Sequence, residues 1–160
     1  RLKNTFPSHY QSIRNRIRQV APFFGDFQLK PLPEAPHQIQ LQWNEQGSDY
    51  PFVAQELSDS TLRFMCLATL LLQPQMPTLL LIDEPELGQD PFAIAVLGGV
   101  CRLAAQRCQL ILSTQSLALA DEFEVDNVIV VERNNGQSRF RRVVEEEFKE
   151  WVEEYKLGEL

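Results

Sequence analysis

The sequence lacks long hydrophobic runs, cysteine pairs and a glycine-rich phosphate loop. Its longest uninterrupted apolar runs span only a few residues, far below the roughly 18 needed to cross a bilayer, so no transmembrane helix is predicted. Its 3 cysteines include no C-x-x-C pair, which argues against a disulfide framework or a zinc ribbon and favours a reducing, cytoplasmic setting. None of its 7 glycines belongs to a G-x-x-x-x-G-K-[ST] motif.

The composition is that of a globular protein. The chain has 160 residues, 44% hydrophobic and 23% charged, which predicts one domain, or part of one, with a sizeable core. It begins Arg1-Leu2 without methionine or a signal pattern, so we expect it to be a piece of a longer protein. The net charge of −7 disfavours broad binding of a phosphate backbone. Nucleic-acid contact and solvated faces remain alternatives for the basic stretches 14–18 and 139–142.

The leading segment, residues 1–54, is predicted to be a helix followed by strands. Apolar residues at 3- and 4-residue spacing indicate a helix ending near Val20. Alternating patterns at 27–30 and 38–43 indicate two strands joined by a proline-rich loop at 31–36, with a third short strand near 50–53.

Residues 55–160 are predicted to alternate between helices and strands. Helices are expected from Asp59 to about Pro74 and from Pro91 to about Gln106. A parallel strand covered on both faces is expected at 78–83, and a second all-apolar strand that ends in hydroxyl residues at 109–114. A third strand at 127–132 extends this open parallel sheet, and an Asn-Gly turn returns 138–144 as an antiparallel edge strand before an acidic helix.

Two adjacent carboxylates stand where the first parallel strand ends. Asp83 closes the strand and Glu84 follows it. Adjacent side chains on a strand point to opposite faces, so the two acids can take different roles, one near a metal ion and one near a water. Ligands bind at the carboxyl ends of strands in open α/β sheets. A solvated loop is the alternative, which the four preceding apolar residues and the following Pro85 disfavour.

Four polar segments occur in a distinctive order. They are LSDST at 57–61, DEP at 83–85, Asp90, and STQS at 113–116. This order resembles the carboxyl-terminal half of an ATP-binding-cassette-type ATPase head of the AAA group, with its signature motif, Walker B motif, D-loop and switch region. The LSDSTLR of residues 57–63 is similar to the LSDGTLR signature of RecF-like and overcoming-lysogenization-defect-like ATPases, which share their head with structural-maintenance-of-chromosomes proteins. The resemblance covers residues 55–133.

The resemblance implies roles for the acidic pair and for the switch position. Asp83 would hold Mg²⁺ through water, and Glu84 would act as the general base on the water that attacks ATP. Gln115 stands where the family usually has a histidine that senses the γ-phosphate.

The resemblance also implies a dimer of two heads. Ser58, Asp59 and Ser60 would contact the nucleotide held by the opposite subunit, because helix amino termini favour anions. Asp90 would end the D-loop, where the two subunits meet.

Two positions depart from the family pattern. Ser60 replaces the usual glycine and can crowd the approach to phosphate. Gln115 keeps hydrogen-bonding capacity but cannot carry the charge of a protonated histidine, so reduced turnover is expected.

The sequence therefore predicts an α/β fold of the P-loop NTPase type, with a largely parallel sheet. The phosphate loop and its lysine would belong to an amino-terminal lobe outside this chain, and the chain alone is expected to be inactive. Two heads would close on Mg-ATP as a conformational switch in DNA repair or recombination, or for an effector of phage defence. The alternatives are a non-hydrolytic dimerisation scaffold and, less well matched, the nucleotide-binding domain of a transporter.

Overall fold

The computed structural model describes the backbone of residues 2–32 and 34–158, and the side chains of these residues up to Trp151. The helices and strands, named in chain order, have the following bounds: α1 Leu2–Thr5, α2 Pro7–Val20, β1 Phe24–Leu32, β2 Ala35–Glu45, β3 Phe52–Val53, α3 Asp59–Leu71, β4 Leu79–Asp83, α4 Pro91–Ala105, β5 Gln109–Ser113, α5 Leu117–Ala120, β6 Ile129–Asn134, β7 Gln137–Arg142 and α6 Glu145–Gly158. Within this part of the chain no helix combines the length and the apolar character needed to span a bilayer.

The first helices and strands form an antiparallel sheet packed on α2. Pro7 at the start of α2 has the fixed φ that a helix needs there, and Tyr10, Ile13 and Ile17 are buried on one face. β1, β2 and β3 pair antiparallel in that order. The strands extend through most of the predicted loop at 31–36. Pro31 lies in β1, which is an edge strand among the described residues, and Pro36 lies in β2 beside a register irregularity. Edge strands and bulges are the places in a sheet that tolerate proline.

The core lies between α2, α3, α4 and the first sheet. Phe64, Leu67, Ala68 and Leu71 repeat at helical spacing on one face of α3 and are buried. They pack in one cluster with residues of α2, β1, β2 and α4, so the leading segment and the later one share a single core. This core supports β4 and β5 from one side, through Leu80, Ile82, Leu110 and Leu112.

β4 and β5 are parallel, as predicted, but only one of their faces is covered by the described residues. Leu81 pairs with Ile111 on the outer face, and these side chains are 68% and 50% exposed. Asp83 and Ser113 end the same outer face. The prediction that both faces are covered was therefore wrong for this part of the chain, and an apolar surface leads directly to Asp83.

The third predicted parallel strand does not join β4 and β5 in the described structure. β6 pairs with β7 in a separate two-stranded antiparallel sheet. The predicted Asn-Gly turn is present, with Asn135 and Gly136 both at positive φ, which is the geometry of a tight hairpin. A second, smaller core beneath this hairpin contains Val143 and Phe148, which are packed against partly buried residues that include Val130 and Trp151.

Candidate functional site

Asp83 and Ser113 meet where the two parallel strands end. The two residues are register partners, and the Ser113 hydroxyl donates a hydrogen bond to Asp83 Oδ1. Both side chains are exposed. The carboxylate therefore lies at the accessible edge of the sheet, as the sequence predicts.

Glu84 is held in an unusual backbone conformation directly after β4. Its φ is +43°, a left-handed region that costs a non-glycine residue of the order of 1 kcal/mol or more. Its N–H donates to the Ser113 carbonyl at 2.9 Å, and its carbonyl accepts from Arg63 Nη2 at 2.6 Å. Contacts from β5 and from α3 thus hold the strained residue on two sides.

The side chain of Glu84 contacts the predicted switch residue. Gln115 Nε2 donates to Glu84 Oε1 at 2.8 Å, and Gln115 is exposed. Residues 31 apart in the chain are brought together because the carboxyl ends of neighbouring parallel strands share one edge. The predicted base and the predicted sensor are therefore hydrogen-bonded to each other.

The amino end of α3 carries a cluster of three hydroxyl groups. Ser58 is the N-cap, and its Oγ accepts from the Thr61 N–H at 3.2 Å. The same oxygen lies 3.0 Å from Ser60 Oγ and 2.8 Å from Thr61 Oγ1. Ser58 and Asp59 are exposed, and Asp59 adds a carboxylate to the first turn of the helix.

Two hydrogen bonds join this end of α3 to the turn that follows β4. One is the bond from Arg63 to the Glu84 carbonyl. The other runs from Gln89 Nε2 to the Ser60 carbonyl at 2.9 Å. The segment of Ser58 and the segment of Glu84 are therefore joined by two hydrogen bonds within one chain.

Asp90 ends the turn and begins the next helix. Its Oδ1 accepts from the Ala93 N–H at 3.0 Å, and Pro91 occupies the first helical position. This is a capping arrangement that fixes where α4 starts. Asp90 is exposed, and a contact with a second subunit stays a prediction.

Sequence reasoning missed a second link between the two strand ends. Glu86 Oε1 accepts from Thr114 Oγ1 at 2.5 Å, and Thr114 Oγ1 accepts from the Ser116 N–H at 2.9 Å. Glu86 Oε2 is buried without a hydrogen-bond partner among the described residues. The available sequence signal was a third acid directly after Pro85 in the run DEPE.

The chemistry of the strand ends fits a magnesium ion. Mg²⁺ prefers oxygen ligands and is usually bound through one or two carboxylates together with waters and substrate phosphates. Asp83 offers an exposed carboxylate with the Ser113 hydroxyl beside it. The described residues contain no group of three or more His, Cys, Asp or Glu side chains able to hold a metal, so an all-protein metal cage does not occur among them.

The basic stretches are largely engaged in contacts within the chain. Arg18 donates to the carbonyls of Phe24 and Gly25, and Arg141 pairs with Glu132 and Glu147.

Arg14 lies 3.7 Å from Asp26, a carboxylate that Lys3 also contacts at 2.8 Å. Burial raises the pKa of Asp26, but hydrogen bonds from Lys3 and Tyr10 outweigh this effect and lower the pKa below its ordinary value. These contacts give several of the basic residues a structural role.

Solved structures define the class of this fold. One that covers 97% of this chain and 95% of its own, at 16% identity and a TM-score of 0.70, comes from work described as "Structural biochemistry of ATP-driven dimerization and DNA stimulated activation of SMC ATPases". An Smc head bound to the C-winged helix domain of ScpA matches 91% of this chain at 15% identity with a TM-score of 0.70. A Pyrococcus furiosus Smc head bound to the C-terminal domain of ScpA matches 95% at 17% identity with a TM-score of 0.68.

These likenesses confirm the α/β fold of an ATPase head, of the P-loop NTPase type. The chain spans 45% and 38% of the length of the second and third of these structures. The chain belongs to the AAA_21 family, described as "AAA domain, putative AbiEii toxin, Type IV TA system", which matches residues 3–121. No curated protein matches the chain.

Proposed function

We propose that this chain is the carboxyl-terminal half of a cytoplasmic ATPase head that dimerises around Mg-ATP and acts as a conformational switch. The observation that carries the proposal is the pairing of Asp83 with Ser113 and of Glu84 with Gln115 at the ends of two parallel strands. Both acids stand at the sheet edge where an α/β fold binds ligands.

The two acids supply different parts of phosphoryl transfer. Asp83 would hold Mg²⁺ through water, and the ion when bound neutralises charge on the phosphate oxygens. Glu84 accepts a proton from the water that attacks the γ-phosphorus, while the bond to the leaving ADP oxygen breaks. Gln115, hydrogen-bonded to Glu84 through its amide nitrogen, can turn that amide toward a γ-phosphate oxygen and so report whether the phosphate is present.

The amino end of α3 serves the nucleotide of the second head in this proposal. Ser58, Asp59 and Ser60 stand at the positive end of a 13-residue helix, where phosphate oxygens are favoured. Ser58 and Asp59 are exposed. Asp90, at the start of α4, would lie where the two heads meet.

The outer face of β4 and β5 supports an amino-terminal lobe that carries the phosphate loop. Leu79, Leu81 and Ile111 leave that face apolar and 43 to 68% exposed. A lobe that covers it would lie directly against Asp83, which ends the same face. This placement would bring the phosphate loop next to Asp83, the carboxylate that would hold the magnesium ion.

The output of the switch is an effector activity or a DNA transaction. The family description names a toxin of a toxin–antitoxin system, which favours an effector, such as one of phage defence. The SMC ATPases are described as stimulated by DNA, which favours a role on DNA such as repair or recombination.

A non-hydrolytic scaffold is the second candidate, and one contact favours it. The Ser60 hydroxyl, at a position where the resembling family has glycine, lies 3.0 Å from the Ser58 hydroxyl. This contact occupies the group that would have to turn toward phosphate. A head of this kind would dimerise or bind a partner without turnover.

The experiment uses the complete protein with Glu84→Gln, weighed by light scattering with and without Mg-ATP. Without its base the variant should bind ATP but not hydrolyse it, so we expect a doubling of mass with ATP and not with ADP. Glu84→Gln combined with Ser58→Arg is the matched control, because it blocks the end of α3 and should stay a monomer. Steady-state hydrolysis is measured on the parent protein.

The outcomes separate the candidates. An ATP-trapped dimer together with slow hydrolysis by the parent supports the switch. Dimerisation without any turnover in the parent favours the scaffold. No ATP-dependent change in mass and no turnover would contradict the proposal.

A further inference from the structure

Glu86 is a partly buried acid that the proposed chemistry leaves without a role. It lies two residues after Glu84, in the turn between β4 and α4, and directly follows the fully buried Pro85. Its carboxylate does not face the accessible edge of the sheet but the loop that leaves β5, through the bond to Thr114.

Donors and acceptors around the Thr114 hydroxyl can be assigned in only one way. A hydroxyl group has one hydrogen and two lone pairs. Because Thr114 Oγ1 accepts from the Ser116 N–H, its single hydrogen is free for Glu86, and an ionised carboxylate can only accept. Glu86 therefore sets the direction of the Thr114 O–H bond. The Thr114 oxygen in turn holds the Ser116 N–H through the hydrogen bond that it accepts.

Gln115 lies between the two residues that are fixed in this way. The hydroxyl of Thr114 bridges over it to Ser116, and the Ser116 hydroxyl in turn accepts from the Leu119 N–H at 3.3 Å at the start of α5. The side chain of Gln115 leaves this small closed loop and reaches Glu84 Oε1 at 2.8 Å. The DEPE turn thus holds both ends of the arrangement, Glu84 directly and Gln115 through Thr114.

The geometry points to Glu86 as a positioning residue that holds Gln115 against Glu84, an inference that rests on the proposed function. It acts through Thr114 and touches neither the water nor the phosphate. Only one of its oxygens is used, since Glu86 Oε2 has no partner among the described residues. Glutamine, which keeps one carbonyl oxygen for Thr114, is therefore the matched conservative variant.

The test measures ATP hydrolysis by the complete protein with changes at both ends of the bond. Glu86→Ala and Thr114→Val should each lower kcat roughly 10- to 100-fold, because a displaced group loses its effective concentration, with KM for ATP within about twofold of the parent. Glu86→Gln and Thr114→Ser should keep most of the parental kcat. In a Gln115→Ala background, Glu86→Ala should have no further effect, since the two changes remove the same interaction.

Several results would overturn the inference. One is an unchanged kcat for Glu86→Ala or Thr114→Val in an active parent, and another is a change confined to KM. A third is that Glu86→Ala lowers kcat by the same factor in the Gln115→Ala background as in the parent. If Glu86→Ala does not fold, the Thr114→Val and Thr114→Ser pair decides in the same way.

A readout that needs no turnover keeps this inference separate from the proposed function. The side-chain amide of Gln115 is followed by nitrogen-15 NMR in the complete protein without nucleotide, and identified by its loss in Gln115→Ala. Glu86→Ala should shift this resonance, and Glu86→Gln should leave it near its parental position. An unmoved resonance in Glu86→Ala overturns the inference even if the protein hydrolyses ATP, whereas a shifted one in an inactive parent supports the geometry and contradicts only the ATPase.

Discussion

At the scale of single residues, Arg63 links the helix of the hydroxyl cluster to the strained Glu84. Its bond to the Glu84 carbonyl is 2.6 Å long, and the arginine is only partly exposed. A side chain of α3 thus stabilises a backbone conformation that Glu84 does not prefer by itself. The hydroxyl end of α3 and the acid after β4 are therefore held together by a direct contact.

We expect Arg63→Ala in the complete protein to lower kcat for ATP roughly tenfold and the free energy of unfolding by about 1 to 3 kcal/mol. The physical reason is a partly buried carbonyl that loses its donor, together with a Glu84 that is less firmly held. Arg139→Ala, an exposed arginine on β7, is the control and should change neither quantity. The measurements are steady-state kinetics and denaturant unfolding, and an unaltered kcat in a folded Arg63→Ala protein would contradict this expectation.

The residues of the site were partly predictable from the sequence. Asp83, Glu84 and Gln115 could be placed together because the carboxyl ends of parallel strands meet at one edge. The positive φ of Glu84 and the bond between Glu86 and Thr114 could not be placed, because no strand pattern or motif indicates the side-chain contacts on which they depend. Local propensities carry no information about such contacts.

At the scale of helices and strands, α4 contains two adjacent glycines with different surroundings. A Cβ added at Gly98 would lie 2.6 Å from Glu122 Cβ, a distance that real carbon atoms do not approach. A Cβ at Gly99 would meet nothing nearer than Arg102 Nη2 at 3.8 Å. Only Gly98 is therefore required by packing, where α4 passes the segment after α5.

We expect Gly98→Ala and Gly99→Ala to change stability in opposite directions. Both gain about 0.8 to 1.0 kcal/mol of helix propensity, but Gly98→Ala must displace Glu122, an overpacking that typically costs 1 to 3 kcal/mol. Thermal unfolding of the two variants beside the parent is the measurement, with each variant serving as the other's control. Equal shifts of Tm in the same direction would show that the contact with Glu122 does not matter.

The strands show where pattern reasoning ends. An apolar residue at every position of Leu79–Ile82 predicts a strand covered on both faces, yet the described residues cover only one face. Likewise β6, which begins with the apolar residues Ile129–Val131, is predicted to join the parallel sheet, but among the described residues it pairs only with β7. A pattern records what a strand is suited to contact, and it does not say which part of a protein supplies the contact.

At the scale of the whole molecule, the 160 residues contain only part of what a nucleotide site needs. Asp83 and Glu84 are anionic, and the net charge is −7. Phosphates are usually held by a glycine-rich loop and its lysine, and no such motif occurs in the sequence. In the proposed function, these two acids therefore need positive charge and N–H donors from an amino-terminal lobe that carries such a loop.

We therefore expect the 160-residue chain, produced alone, to show no micromolar binding of Mg-ATP in titration calorimetry. The complete protein, titrated in parallel, should bind. Far-UV circular dichroism checks that the isolated chain is folded. Tight binding by the folded chain alone would contradict a site completed by an amino-terminal lobe.

The strained backbone at Glu84 has a consequence for how such a protein changes over generations. Glycine adopts a φ of +43° without a steric penalty. A change of Glu84 to glycine would therefore relieve backbone strain while it removed the proposed base. Mutation pressure and folding stability would then act together against the acid. A lineage that no longer needed hydrolysis would be expected to lose Glu84 early and to fold at least as well without it.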